Sequence, residues 1–104
     1  MISWKLSYYS DLSRDVLYQI LKIRQEVFII EQDCNYLDAD NLDKDSQHVL
    51  CYNHDELIAY SYLTKFDKKS KKHNCILGIV ISDKWQGKGF GKKICKYIFF
   101  VKLI

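Results

Sequence analysis

Three of the four glycines in this 104-residue sequence lie within five positions, at Gly87, Gly89 and Gly91. They separate an apolar run that ends in Ile79–Ile81 from a segment with helical spacing of apolar residues. A helix start leaves backbone N–H groups free and carries partial positive charge, and glycines let an anion approach those groups closely. The spacing therefore predicts a phosphate or pyrophosphate site at the start of the last helix.

The glycine spacing excludes two common phosphate-binding motifs. A Walker loop requires Gly-x-x-x-x-Gly-Lys-Ser/Thr, and the sequence contains no such string. The dinucleotide fingerprint Gly-x-Gly-x-x-Gly also fails, because Lys92 or Ile94 stands where its third glycine is required. The pattern that does fit is Gln-x-x-Gly-x-Gly, formed by Gln86, Gly89 and Gly91.

Charge is divided unevenly along the chain. Residues 1–62 hold 5 basic and 11 acidic side chains, whereas residues 63–104 hold 11 basic and 2 acidic ones. A basic second half favours an anionic partner, which the charge alone leaves open as a nucleotide cofactor or a nucleic acid. A nucleic-acid interface would depend on the stretch Lys65–Lys72, for which a solvated connection is the favoured interpretation.

Other kinds of site are not favoured. The acidic run that begins at Asp38 lacks the ligand and glycine spacing of an EF-hand, and the four cysteines form no close pair that would bind zinc, so no metal is expected. The cysteines are predicted to be reduced and mostly buried, and His48 to be a structural histidine at a strand. No secretory signal or membrane span is visible, which favours a cytoplasmic protein.

The elements that would position the glycine motif follow from hydrophobic periodicity. An amphipathic helix is predicted over residues 12–28, a polar loop over 33–47 and a last helix from Gly87. A basic connection is predicted over residues 65–74. Alternating or apolar runs predict four strands, over residues 3–9, 47–52, 57–64 and 75–82. This order indicates one α/β (α+β) domain built on a single sheet.

The motif formed by Gln86, Gly89 and Gly91 after a β-strand resembles the acyl-CoA-binding motif of the GNAT N-acetyltransferases. The resemblance extends to the ElaA-like branch of that superfamily and covers the chain to about Tyr97. It implies a mixed, mainly antiparallel sheet with flanking helices. The supporting strings are Leu17-Tyr18 through Leu21, Ile23-Arg24-Gln25-Glu26-Val27-Phe28-Ile29-Ile30-Glu31-Gln32-Asp33-Cys34, Tyr36-Leu37-Asp38 and His48-Val49-Leu50.

The same resemblance implies acetyl-CoA and an amine acceptor as the two substrates. The amine would approach near Phe28, Glu31 and Gln32, with Glu31 as a weak candidate for the general base. Gln86 opens the cofactor motif. The backbone groups that would pair with the pantetheine arm belong to Ile79, Val80 and Ile81. The backbone N–H groups that would hold the pyrophosphate belong to Gly87, Lys88, Gly89, Phe90, Gly91 and Lys92.

The end of the chain differs from the family pattern. The family continues beyond the last helix with a further strand, a helix and a closing hairpin, which include the tyrosine that commonly protonates the leaving thiolate. We therefore expect residues 1–104 to be the N-terminal portion of one GNAT-type domain, with activity reduced or lost. Because Tyr97–Ile104 is apolar almost all round, the alternative is a non-catalytic module that docks on a partner or a second copy through this helix.

Overall fold

Within the described residues, a four-stranded sheet carries one helix on each face. The computed structural model describes residues 1–27, 43–68 and 71–102, with the side chains of all but 64–68, 71–77 and 102. Short 3-10 turns lie at Tyr9–Asp11, Asp43–Asp45 and Asp83–Trp85. The main elements are, in chain order, β1 (Ile2–Tyr8), α1 (Arg14–Arg24), β2 (Gln47–Asn53), β3 (Glu56–Lys68), β4 (Lys71–Ile81) and α2 (Phe90–Lys102).

The strands lie in the order β1-β2-β3-β4, and all three pairings of this described sheet are antiparallel. Strands β2 and β3 are joined by a tight turn at His54 and Asp55, which the sequence predicts from its polar residues. His54 adopts a φ of 55°, the left-handed conformation that such a turn requires. The expected sheet class, mainly antiparallel with flanking helices, is thus confirmed.

The connection between β3 and β4 is shorter than predicted. The sequence assigns residues 65–74 to a basic, solvated connection, but β3 continues to Lys68 and β4 begins at Lys71. The pairs run from Lys65 with Asn74 to Lys68 with Lys71. Antiparallel pairing depends on backbone hydrogen bonds and tolerates polar residues where a sheet faces water, so the polar composition concealed a long hairpin.

The core has two layers, one on each face of the sheet. Helix α1 packs its apolar stripe of Ile20, Ile23 and Val27 on the face that carries Leu50 and Tyr60. Helix α2 covers the opposite face. The buried apolar residues on that side are Val49, Cys51, Ile58, Ala59, Leu63, Phe90, Ile94 and Ile98. Because the two helices lie on different faces, the sheet is covered on both sides.

Both helices begin later in the chain than the periodicity predicts. Helix α1 begins at Arg14 because the Ser13 side chain caps it, accepting a hydrogen bond from the Val16 N–H at 3.1 Å. Residues 25–27 continue α1 as a wider turn. Helix α2 begins at Phe90 and not at Gly87, because the glycines before it adopt positive φ angles that a helix does not allow.

Candidate active site

The glycine segment forms a turn between the end of β4 and the start of α2. Gly87 and Gly89 have φ angles of +77° and +83°, which side chains other than glycine rarely adopt. The Gly89 carbonyl accepts the first helical bond, from the Lys93 N–H at 3.1 Å. The N–H groups of residues 89–92 therefore have no acceptor within the helix. A Cβ added at Gly91 would meet no atom within 4 Å, so this end of α2 is open.

Positive charge surrounds this turn. The Lys88 Nζ lies 5.0 Å from the centre of the Trp85 ring, and the Lys93 Nζ lies 4.5 Å from the centre of the Phe90 ring. The Trp85 and Phe90 rings pack edge to face with 5.5 Å between their centres. Lys92 is exposed one residue before Lys93. Ammonium groups and the helix N-terminus together favour an anion here.

Strand β4 is the last strand of the described sheet, and one of its edges has no neighbour among the described strands. The Ser82 N–H donates to the Ile58 carbonyl at 2.8 Å. Because hydrogen-bonded pairs alternate along an antiparallel ladder, Val80 is the next residue along β4 bonded to β3. The backbone groups of Ile79 and Ile81 therefore face the free edge. Those of Val80 face β3 and are used by that strand, so Val80 does not present them to a ligand as the resemblance implies.

The Gln86 side chain supports this orientation. Its Nε2 donates a hydrogen bond to the Ile81 carbonyl at 3.0 Å, which is possible because that carbonyl is not used by β3. Gln86 thus links the turn to the end of the free edge. The sequence identifies Gln86 as the first residue of the motif but not this contact, since it depends on how the turn folds back.

A bulge lies beside the free-edge residues. Tyr62 pairs with Gly78 and Leu63 with Ile76, so Leu77 is an extra residue in β4 with no partner in the ladder. A bulge bends its strand and changes the direction of the backbone groups that follow. Glycine inside a strand often marks a bulge, and Gly78 directly follows the extra residue of this one.

A groove of about 640 Å³ runs between α2 and the end of β4. Its lining residues are Ile79, Gly91, Lys92, Cys95, Lys96 and Phe99. The groove is mainly apolar and has lysine side chains at its rim. Farther along α2, Ile98 is buried against the sheet, but Phe99 and Phe100 are 62% and 79% exposed. The C-terminal part of α2 therefore exposes apolar side chains as well, as the sequence predicts.

The α1 face of the sheet also holds a buried polar cluster that the sequence does not predict. Arg24 is 1% exposed, and its Nη1 donates to the Asp43 Oδ1 at 2.6 Å. His48 Nδ1 lies 2.7 Å from the Tyr60 hydroxyl oxygen, and its Nε2 lies 2.9 Å from the Asp43 carbonyl oxygen. The one signal was a basic residue, Arg24, four positions after Ile20 on an apolar helix stripe.

Burial changes the ionisation of this cluster. Burial lowers the pKa of His48 from its usual value, although the Asp43 carbonyl and charge oppose this shift. Burial likewise raises the pKa of Tyr60 above its usual range. His48 is therefore a neutral, fully hydrogen-bonded side chain near neutral pH. This confirms the structural role expected for it.

Several predicted residues lie outside the described part of the chain. They include the acceptor-side residues Phe28, Glu31 and Gln32, so the structure gives no geometry for the weak base candidate. Among the residues that the structure does describe, no group of three metal-ligating side chains comes together. Cys51 and Cys95 are free thiols, and burial raises the pKa of Cys51 to about 11. No helix in the described ranges is both long and apolar enough to cross a membrane.

Two bacterial proteins are similar to this chain in sequence. The ElaA protein of Escherichia coli is 34% identical over 97 residues, which cover 90% of this chain and 62% of ElaA. A protein of the UPF0039 group from Synechocystis is 38% identical over 99 residues, which cover 89% of this chain and 60% of that protein. The chain thus spans about three fifths of the length of these relatives.

Solved structures extend the comparison to the fold. The crystal structure of Escherichia coli ElaA superposes with a TM-score of 0.88 at 32% identity, covering 97% of this chain and 69% of ElaA. An acyl-CoA N-acyltransferase from Pseudomonas aeruginosa gives a TM-score of 0.87 at 28% identity, with 97% and 68% covered. Residues 14–100 match the acetyltransferase (GNAT) family. This chain belongs to the GNAT acetyltransferase family.

Proposed function

We propose that this chain is an N-acetyltransferase domain that binds acetyl-CoA along the free edge of β4 and at the N-terminus of α2. Membership of the GNAT family is consistent with acyl transfer from an acyl-CoA to an amine. The observation that carries the proposal is that the free edge of β4 and the glycine turn adjoin each other. The free edge at Ile79 and Ile81 leads directly into the positive-φ turn at Gly87 and Gly89.

The turn supplies the pyrophosphate site in this proposal. The N–H groups of residues 89–92 have no acceptor within α2, and the space around Gly91 is open to a ligand. Gly87 and Lys88 complete the segment that the sequence predicts. Lys88 and Lys92 add charge from exposed positions, which favours a doubly negative pyrophosphate.

The free edge of β4 supplies the pantetheine and thioester site. The amide-containing pantetheine arm can pair with the backbone groups of Ile79 and Ile81 in the manner of an added strand. Val80 contributes by fixing this segment against β3, since its own backbone groups face the sheet. The N–H of Ile79, next to the bulge, is the donor we assign to the thioester carbonyl oxygen.

The reaction we propose is direct transfer without an acyl-enzyme. The amine nitrogen attacks the thioester carbonyl carbon, the carbon–sulfur bond breaks, the amine loses a proton and the CoA thiolate gains one. Holding both substrates in line supplies much of the rate enhancement, and an N–H donor stabilises the developing oxyanion. Glu31 stays the proposed general base.

Titration calorimetry with three ligands tests the cofactor site. We expect CoA and acetyl-CoA to bind saturably and to raise the Tm, because a ligand that binds only the folded chain stabilises it. Acetyl-pantetheine, which lacks the pyrophosphate and nucleotide, should bind far more weakly. Equal binding of all three ligands would place the site elsewhere, and a folded chain that binds none of them would overturn the proposal.

Turnover is a separate measurement. Release of free CoA thiol in the presence of a panel of primary amines and polyamines would show transfer and identify the acceptor class. Binding of acetyl-CoA without release of thiol would support the non-catalytic alternative for this chain. A cytoplasmic location, which the sequence favours, is part of the same proposal and is tested by fractionation of cells that express the protein.

A further inference from the structure

The buried residues Arg24, Asp43, His48 and Tyr60 form a ring of contacts, three of which are hydrogen bonds, and we call it the Arg24 ring. The Asp43 carbonyl oxygen can only accept, so His48 carries its hydrogen on Nε2. Neutral His48 then accepts at Nδ1 from the Tyr60 hydroxyl. Arg24 donates to the Asp43 carboxylate, and its guanidinium carbon lies 6.0 Å from the centre of the Tyr60 aromatic ring.

The Arg24 ring lies behind the free edge of β4. Tyr60 is paired with Val80 across the β3–β4 ladder, and Tyr62 is paired with Gly78 at the bulge. Val80, Tyr60 and Tyr62 also belong to one buried cluster on the α1 face. Tyr60 therefore connects the Arg24 ring to Val80. The two neighbours of Val80 in β4 present their backbone groups to the free edge.

We propose that Arg24, Asp43, His48 and Tyr60 are positioning residues for the free edge of β4, and that they hold it correctly only while His48 is neutral. The expected effect of these residues on cofactor affinity rests on the proposed function. The coupling of the Arg24 ring to the edge can be measured without any cofactor. The ring touches neither the glycine turn nor the groove, so it acts through β3.

Protonation of His48 disrupts the ring for a simple chemical reason. Imidazolium carries a hydrogen on both nitrogens, so Nδ1 can no longer accept from the Tyr60 hydroxyl. The added charge also lies near the Arg24 guanidinium, which repels it, while Asp43 attracts it. Tyr62 stacks on the imidazole with 6.5 Å between ring centres. The ring of Tyr9, which belongs to the first 3-10 turn, has its centre 6.3 Å from that of the imidazole.

The direction of the pH effect follows from burial. Because the pKa of His48 is lowered in the folded protein, the neutral form is favoured by folding. The stabilisation is present above the unfolded pKa of about 6.5 and is lost as the pH falls toward the folded value. The Arg24 ring should therefore be intact above the unfolded pKa and should open as the pH falls through the lowered pKa of His48.

An NMR pH titration of the native chain and of His48→Gln tests the coupling. Glutamine can donate to the Asp43 carbonyl and accept from the Tyr60 hydroxyl, but it cannot be protonated. In the native chain, we expect the backbone amide chemical shifts of Ile79 and Ile81 to change over the same pH range as those of the His48 imidazole. In His48→Gln, they should stay constant. His54→Gln is the matched control, because His54 lies exposed at the β2–β3 turn.

A second variant and a second readout complete the test. Tyr60→Phe removes only the hydroxyl and should also uncouple the two amides from His48. Affinity should be measured with dephospho-CoA, since the 3′-phosphate of CoA itself titrates near pH 6 as other phosphate monoesters do. We expect dephospho-CoA to bind the native chain about fivefold more weakly once the pH has fallen through the pKa of His48, as loss of one hydrogen bond implies. It should bind His48→Gln equally across the same pH range.

The outcomes separate this inference from the proposed function. If Ile79 and Ile81 do not follow His48, or if His48→Gln keeps the native pH response, the positioning role is wrong. If their shifts follow His48 but neither CoA nor dephospho-CoA binds at any pH, the Arg24 ring is coupled to the edge and the proposed cofactor site is wrong.

Discussion

Replacing Gly91 by glutamate should stabilise the fold while it weakens CoA binding. Gly91 is the second residue of α2, and an added Cβ meets no atom within 4 Å. Glycine in a helix costs roughly 0.5–1 kcal/mol relative to alanine, and a carboxylate in the first turn adds about 0.3–1 kcal/mol. We expect the free energy of unfolding to rise by about 1 kcal/mol, which raises the Tm by about 4–8 °C for a domain of this size.

The effect on CoA has the opposite sign because the new carboxylate would face the pyrophosphate. At about 5 Å and an effective dielectric constant of about 20, two like unit charges repel by about 3 kcal/mol. Salt screens part of this repulsion at an exposed site. We therefore expect the Kd for CoA to increase by about tenfold to hundredfold.

Calorimetric titration and thermal unfolding of three variants measure both effects. Gly91→Ala tests the helix contribution alone, and Gly91→Gln has the size of glutamate without its charge. Both should gain stability and keep most of the CoA affinity. If Gly91→Glu binds CoA as tightly as Gly91→Gln does, the pyrophosphate does not lie at the start of α2, and our placement of the cofactor is refuted.

Three further predictions concern stability and reactivity. Ser13→Ala should lower the free energy of unfolding by about 1 kcal/mol through loss of the α1 cap, as measured by urea denaturation. Asp43→Ala should cost about 3 kcal/mol, because the buried Arg24 guanidinium loses its ion pair with the Asp43 carboxylate. Arg24→Met combined with Asp43→Leu should recover much of that loss, and an equal deficit in the double variant would contradict the ion-pair argument. Because burial raises the pKa of Cys51 to about 11, iodoacetamide should alkylate Cys95 well before Cys51 in peptide maps.

The sequence was sufficient to predict the glycine turn and the order of the elements. The cluster of Gly87, Gly89 and Gly91 has a local physical meaning, because two of these positions need a φ that other residues avoid. The stripe on α1 and its Ser13 cap are equally local signals. Such features depend on residues close in the chain, and they are therefore readable without the fold.

Features that depend on pairing across the sheet could not be read in this way. The bulge at Leu77 and the direction of the backbone groups of Val80 follow from the register with β3, which no local pattern specifies. The Arg24 ring is of the same kind, since it joins α1, the turn before β2 and β3 across 36 positions of sequence. Its members are ordinary residues until the fold brings them together.

The antiparallel order of the strands has a consequence for how this chain folds. Strands β2, β3 and β4 form a meander with short connections, so they can find one another locally. Strand β1 pairs with β2 across the whole of residues 9–46, and closing such a loop costs more entropy and slows pairing. During synthesis β1 leaves the ribosome before its partner exists. Among the described strands, β1 is thus the one that must wait longest for its partner.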